Sequence, residues 1–416
     1  MGRVWQRLRE DARVAGWMLS HGALITFWLL LFGIFLGHMR QRLGYLTAHR
    51  PIANDLPCKS PECDFSVFWP AGRLAREHAY HLLYTPGLFS RAADAMLRPG
   101  SHIQTFFYPP PTLLAVALVS HLPFEWGFFV WTATLLLLAA AVLRLARVPW
   151  GVILAGLFSP AALWCLELGQ FGIIGGALLV AGVVLSRRAP WRAGGLLAVL
   201  GLKPQLGLLV PALFWGQRNW RALCAFAAIC AGLCLLTLLL FGWGVWAAYF
   251  TAGRGQSISV ADVAFNPGTY QGWGVSVFWM ARSLHAGLAL AYAAQALSAL
   301  AAAALVWWIW RREGVEPLDA MALTVFLSLL ATPYGYSDDM VAYSIALAWL
   351  VWRRGWRIGL LDVFFWFWPM LCIDVAAKTG ILFTPLVVGL AAARTWHRAG
   401  LPLPHLPRRA AVLPRA

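Results

Sequence analysis

The sequence is poor in charged residues. Of its 416 residues only 12% are Asp, Glu, Lys or Arg, whereas 60% are hydrophobic. A soluble globular domain carries about 25% charged residues, so this composition excludes a soluble protein and predicts an all-α polytopic membrane protein. Apolar stretches recur from Trp17 to the region of Ala393. We therefore expect one multi-span membrane domain over residues 1–396 and a cytoplasmic tail over residues 397–416.

The sequence also lacks a convincing signal-peptide cleavage site. Its first apolar run follows several arginines and extends for about 20 residues, which is longer than the apolar core of a signal peptide. We therefore interpret residues 17–38 as a retained membrane anchor.

The distribution of the basic residues argues against a nucleic-acid partner, although the formal net charge is +16. Lys and Arg cluster in short segments between apolar runs, which is the positive-inside pattern of a membrane protein. This pattern places both termini in the cytoplasm and predicts about 12 spans, two half-spans included. Most acidic residues then fall on the outer face, where we expect the polar chemistry.

The longest polar segment, residues 39–107, is predicted to be an outer loop, and it contains Asp64. Asp64 has two interpretations: the N-cap of a helix, or a general base at the membrane surface that takes a proton from a hydroxyl group. The aromatic neighbours Phe65, Phe68 and Trp69 are expected to lie in the membrane interface.

No clustered His or carboxylate spacing fits a metal site, so neither a metal nor a cofactor is expected. Cys58 and Cys63 precede Asp64 and have two interpretations: a disulfide that stiffens the loop in an oxidising compartment, or two free thiols.

Lys203 lies in a Lys-Pro-Gln turn between two short apolar pieces, residues 193–202 and 206–215. Each piece reaches only about half-way across a bilayer. A lysine beside a helix-breaking proline is tolerated at such a depth where it lines a wet cavity. The alternative is a loop lysine that snorkels to the surface.

The predicted topology brings carboxylates and a cation to one face. Glu167 and the turn that ends at Asp339 join Asp64 on the outer side, and Lys203 approaches from within. Such a set suits transfer from a phosphate-linked lipid, in which a carboxylate deprotonates the acceptor and a cation holds the leaving phosphate. A lipid-linked substrate transporter or flippase is the alternative, since it also uses broken helices, but no internal repeat is evident.

An ordered set of short motifs resembles glycosyltransferase family 87. The motifs are Asp64-Phe65, Val67-Phe68-Trp69-x-Ala71, Leu83-Tyr84, Phe107-Tyr108-Pro109-Pro110, Gly169-Gln170, Lys203-Pro204-Gln205 and Thr332-Pro333-Tyr334-Gly335-Tyr336 with Asp339. The resemblance implies a GT-C-type helical bundle with a long first periplasmic loop, in the bacterial inner membrane. It also implies an inverting enzyme that takes a sugar, by family default mannose, from a polyprenyl phosphate and passes it to a glycolipid or glycan on the periplasmic side.

The resemblance assigns the family's catalytic aspartate to Asp64. We expect the donor phosphate near three cations, and the acceptor or sugar near four further residues. The cations are Lys203, Arg254 and Arg282, and the four residues are Glu167, Gln170, Tyr336 and Asp339. We favour Asp339 over Asp338, because position 337 is Ser where many family members carry an acidic residue.

Overall fold

The structure, a computed structural model, describes residues 64–85, 87–97, 105–253, 255 and 262–402, and separate positions between 21 and 37. Cys58, Cys63, Arg254 and the tail beyond residue 402 lie outside the described residues. The described chain is largely helical and contains no β-strand, which confirms the all-α class.

The α-helices are numbered in chain order. They are α1 Phe65–Arg76, α2 Tyr80–Tyr84, α3 Leu88–Leu97, α4 Leu113–Val119, α5 Phe124–Leu145, α6 Trp150–Leu157, α7 Pro160–Leu168, α8 Gly172–Leu185, α9 Pro190–Ala198, α10 Val210–Gly216, α11 Trp220–Ala248, α12 Val277–Ser283, α13 Leu288–Arg311, α14 Pro317–Ala331, α15 Val341–Arg353, α16 Leu360–Thr379 and α17 Thr384–Arg398. Short 3-10 turns cover Pro110–Thr112, Val199–Leu202, Pro204–Gly207, Tyr270–Trp273 and Ser337–Met340, and Tyr249–Gly253 is a π-helical turn.

Four described helices are long and apolar enough to cross a membrane: α5, α11 with its π-helical turn, α13 and α16. The pair α6 and α7 qualifies as one further span that is bent by 54°. The protein is therefore a multi-pass membrane protein, as predicted. The total of about 12 spans and the single-domain boundaries stay predictions.

The apolar sequence predicts one continuous third span over about residues 151–166, but the structure bends this span. The chain breaks at Ser159 and Pro160. The Ser159 hydroxyl accepts a hydrogen bond from Ala162 N at 3.3 Å, which is an N-terminal cap. Pro160 occupies the first helical position, where its missing N–H is no loss.

Two other predicted boundaries were wrong. The sequence predicts an outer loop over residues 242–273, but the chain is helical as far as Gly253, because α11 continues across a single non-helical residue at Gly242. The sequence also predicts that a final hairpin turns between Asp374 and Thr379, whereas α16 runs to Thr379 and ends at Gly380, which has a positive φ of 74°.

Helix α8 forms the centre of the bundle. Nearly all of its residues are buried, and it packs against α5, α9, α14 and α15. A helix that is apolar all round is expected in such a place. Its first residue, Gly172, lies against the backbone carbonyl of Asp338, so α8 links the middle of the bundle to the outer turn that carries the acidic pair.

Helix α1 is a protein-core helix, because its apolar residues recur at helical spacing on one face. Phe65, Phe68 and Trp69 are at most 7% exposed, so their predicted placement in the membrane interface was wrong. They pack on aromatic rings of α5 and of the chain before α4 and α8. The charged residues at the end of α1 are exposed to solvent: Arg73 and Glu77 form an exposed ion pair at 3.0 Å.

Candidate functional site

Three irregular segments meet beside the start of α1. They are the Pro110–Thr112 turn, the pair of turns on either side of Lys203, and the Ser337–Met340 turn. The Thr112 hydroxyl donates to the carbonyl of Leu202 at 2.9 Å, which joins the first two segments. Side chains join the second segment to the third.

Lys203 supplies that second connection. Its side chain is buried, and Nζ donates to Asp338 Oδ2 at 3.3 Å and also to Asp339 Oδ1. The ammonium group lies 5.8 Å from the centre of the Phe171 ring. A buried lysine is stable only with such partners. The structure therefore does not support the interpretation of Lys203 as a snorkelling surface residue.

Asp64 occupies the N-cap position of α1, but its carboxylate does not cap the helix. Its backbone carbonyl accepts hydrogen bonds from Val67 N at 3.0 Å and Phe68 N at 3.2 Å, whereas its side chain makes no capping bond within the described chain. The residue as a whole is half-buried, and its carboxylate is left for other chemistry.

The surroundings of Asp64 raise the pKa of its carboxyl group to about 7. Burial is the largest cause, and the negative charge of Asp338 follows. Hydrogen bonding to Gln170 and the positive charge of Lys203 act in the opposite direction. A carboxylate with a pKa near neutrality is suited to general base catalysis.

Gln170 reaches the group from the turn between α7 and α8. The turn is possible because Gly169 adopts a left-handed conformation with a φ of 71°. The Gly169 carbonyl accepts a hydrogen bond from the Trp131 indole N–H at 2.8 Å. Gln170 Nε2 donates to the Tyr108 hydroxyl at 3.2 Å. The Tyr84 hydroxyl in turn donates a hydrogen bond to the Tyr108 carbonyl at 3.0 Å, which holds the chain segment that precedes α4.

The structure gathers some of the expected site residues and separates others. Asp64, Gln170, Lys203 and Asp339 lie together, and Tyr336 joins them because its N–H donates to Asp339 Oδ2 at 3.2 Å. Glu167 lies on α7, three residues before Gln170, and is partly exposed.

Arg282, one of the predicted phosphate ligands, forms hydrogen bonds that stabilise the chain around it. Its guanidinium donates to the carbonyls of Ala286 and Val263, both at 3.0 Å. These bonds hold the end of α12 and the preceding loop. Arg254, the other predicted arginine, lies outside the described residues.

Sequence reasoning missed two members of the group. Asp338 was set aside in favour of its neighbour, although both carboxylates contact Lys203. Tyr108 was noted only as part of a motif, yet its hydroxyl bonds the Gln170 amide. The adjacent acidic pair in the first case, and a hydroxyl inside an aromatic-proline motif in the second, were the signals that pointed to them.

The profile described as glycosyltransferase family 87 matches residues 106–333, which is more than half of the chain. The chain belongs to glycosyltransferase family 87. A GT-C-type architecture is consistent with that membership. No curated protein matches the chain, and no solved structure does.

The family match fixes the class of reaction as glycosyl transfer. It includes Gln170 and Lys203, while Asp64 and the acidic pair lie on either side of it. The structure of this glycosyltransferase brings those flanking residues back to the matched region. The roles of the individual side chains are inferred from their geometry.

Proposed function

We propose that this glycosyltransferase transfers a sugar, by family default mannose, from a polyprenyl-phosphate donor to a periplasmic-side glycolipid or glycan acceptor. The reaction takes place on the periplasmic face of the bacterial inner membrane, with both termini of the chain in the cytoplasm. The family membership and the apolar helices support the reaction class and the membrane setting. The donor, the sugar and the face of the membrane are part of the proposal.

In the proposed mechanism the Asp64 carboxylate is the general base. It lies at the end of a helix without capping it, and the pKa of its carboxyl group is about 7. As the acceptor oxygen attacks the anomeric carbon, its proton passes to Asp64. The bond between the anomeric carbon and the phosphate oxygen breaks, and the electron pair leaves with the phosphate. One displacement of this kind inverts the configuration of the sugar.

We propose that Lys203 forms ion pairs with Asp338 and Asp339 and does not bind the donor phosphate. Its ammonium group is buried and already faces two carboxylates, so it presents no net positive charge to a further anion. Arg254 stays a predicted phosphate ligand. Glu167, Gln170 and Tyr336 stay predicted contacts of the acceptor or of the sugar.

The first test is sugar transfer in membranes that contain wild-type protein, Asp64→Asn or Asp64→Ala at matched levels. Radiolabelled polyprenyl-phosphate mannose is the donor, and label in glycolipid is the readout. A general base contributes about 10²- to 10⁴-fold to a rate, so we expect a loss of that size in both variants. Because Asp64 makes no capping bond, their thermal unfolding should resemble that of wild type.

Two results would contradict the proposal. Transfer at the wild-type rate by Asp64→Ala would remove Asp64 as the base. Absence of transfer by wild type, in membranes where a known mannosyltransferase uses the same donor, would contradict the donor class.

A further inference from the structure

The two adjacent aspartates of the Ser337–Met340 turn are bonded differently. Both oxygens of Asp339 are occupied, because Oδ1 accepts from Lys203 Nζ and Oδ2 accepts from Tyr336 N at 3.2 Å. Asp338 Oδ2 accepts from Lys203 Nζ at 3.3 Å. Within the described residues no hydrogen bond reaches Asp338 Oδ1. One oxygen of Asp338 therefore remains available to a ligand.

A second polar group in the same place is also unsatisfied. Gln170 is 7% exposed, and its side-chain oxygen has no hydrogen-bond partner in the described chain. Its amide nitrogen donates to Tyr108 and the residue faces Asp64. A buried polar atom without a partner is costly unless a ligand satisfies it. The acidic pair is therefore not the only sign of a binding site.

The unsatisfied groups define the chemistry of the ligand. Asp64, Asp338 and the Gln170 oxygen are hydrogen-bond acceptors, and the buried ammonium group of Lys203 is already shared between two carboxylates. A ligand that fits this place must donate hydrogen bonds and must not be an anion. The hydroxyl groups of a neutral sugar meet both requirements.

We propose that Asp338 is a substrate-binding residue, whose Oδ1 accepts a hydrogen bond from a hydroxyl group of the sugar bound beside Asp64. Asp339 and Lys203 are positioning residues that hold the Asp338 carboxylate in place. This inference rests on the proposed function. It reverses the preference for Asp339 that the sequence suggested.

The test compares purified wild type with Asp338→Asn and with its matched control, Asp339→Asn. The donor is a short-chain polyprenyl-phosphate mannose and the acceptor is octyl mannoside. Each is used intact and as a series in which one hydroxyl at a time is replaced by hydrogen. Thermal unfolding of each variant is measured in detergent, with and without octyl mannoside or the short-chain polyprenyl-phosphate mannose.

We expect wild type to reject at least one deoxy compound, and Asp338→Asn to lose that discrimination. Loss of a hydrogen bond to a charged group should lower kcat/KM for the intact sugar by about 10- to 100-fold. Asp338→Asn should still fold, because Lys203 retains its ion pair with Asp339. Asp339→Asn should unfold at lower temperature but reject the same deoxy compounds as wild type. The series in which discrimination disappears shows whether the hydroxyl belongs to the donor or to the acceptor.

Unchanged discrimination by Asp338→Asn in both series would overturn the assignment. Absence of wild-type transfer would contradict the proposed donor instead, and thermal stabilisation by octyl mannoside and by the short-chain polyprenyl-phosphate mannose then tests Asp338 separately. Stabilisation of wild type but not of Asp338→Asn by either compound supports the inference. Equal stabilisation of the two proteins by the compounds that bind, or stabilisation of neither protein by either compound, contradicts it.

Discussion

Backbone conformation explains why the Asp64 side chain is available for chemistry. A capping aspartate adopts an extended conformation that turns its carboxylate back toward the first amides of the helix. Asp64 instead has φ −81° and ψ −30°, which is already helical. Its side chain therefore projects away from those amides and toward Gln170 and the acidic pair. The choice between a cap and a base, which the sequence left open, depends on these two torsion angles.

The raised pKa of Asp64 predicts the pH dependence of transfer. Since a base works only when it is ionised, kcat/KM should rise tenfold per pH unit below about 7 and level off above it. A phosphodiester donor does not titrate in this range, so this rising limb of the pH profile reflects the ionisation of a group on the protein. The charge of Asp338 raises the pKa of Asp64, so Asp338→Asn should move the limb to lower pH.

The measurement is kcat/KM for the donor between pH 5 and pH 9, in detergent and at constant ionic strength. Asp64→Asn is the control, because its residual rate should show no limb at this position. A wild-type profile that is flat from pH 5 to pH 8 would argue against Asp64 as the titrating base.

At the scale of helices, sequence patterns predicted lengths better than bends. The apolar run over residues 124–142 predicts a full span, which α5 forms, and the two short pieces around Lys203 are short helices as predicted. Run length and terminal arginines define such helices in a membrane. The break at Ser159 and Pro160 lies within a continuous apolar stretch, where hydropathy gives no sign of it. The burial of Phe65 depends on partners more than 50 residues away in the chain, which local periodicity does not reveal.

The contact between α1 and α4 predicts the effect of one added methyl group. A β-carbon at Gly72 would lie 2.1 Å from the carbonyl oxygen of Val116, so Gly72→Ala must push the two helices apart. Overpacking of this kind costs about 1–3 kcal/mol. It should also displace Asp64 at the start of α1, so we expect lower thermal stability in detergent together with lower transfer.

Gly195→Ala is the matched control for that experiment. Gly195 also lies inside a helix, but a β-carbon there meets nothing within 4 Å. Alanine is favoured over glycine in a helix by about 0.5–1 kcal/mol, so this variant should be as stable as wild type or slightly more so. Equal effects of the two substitutions would contradict the close packing of α1 on α4.

At the scale of the whole molecule, the candidate site lies where the regular helices of the bundle stop. Asp64, Lys203 and Asp338 come from three segments far apart in the chain, and each segment is a helix end or a 3-10 turn. The sequence identified each segment separately by its polar residues inside apolar surroundings. It did not predict that Lys203 pairs with both aspartates, because no pattern in one sequence reports contact between residues 135 positions apart.

Helix α8 connects the site to the opposite end of the bundle, and so relates the location of the site to the surfaces that would face the periplasm. Its first residue lies against Asp338, and its 14 residues carry the chain about 20 Å away, to exposed arginines at 187 and 188. Helix α3 packs against α1 and presents an exposed Arg91. If the site faces the periplasm, Arg91 is outside and Arg188 is in the cytoplasm.

Single cysteines at these two positions test the orientation. In a background in which all seven native cysteines are replaced by serine, a membrane-impermeant maleimide should label Arg91→Cys in intact spheroplasts. It should label Arg188→Cys only after the membrane is permeabilised, because the positive-inside rule places that segment in the cytoplasm. Labelling of both variants after permeabilisation is the control for accessibility. The reverse pattern would place the Asp64 group on the cytoplasmic face, where the donor sugar would have to be presented from inside the cell.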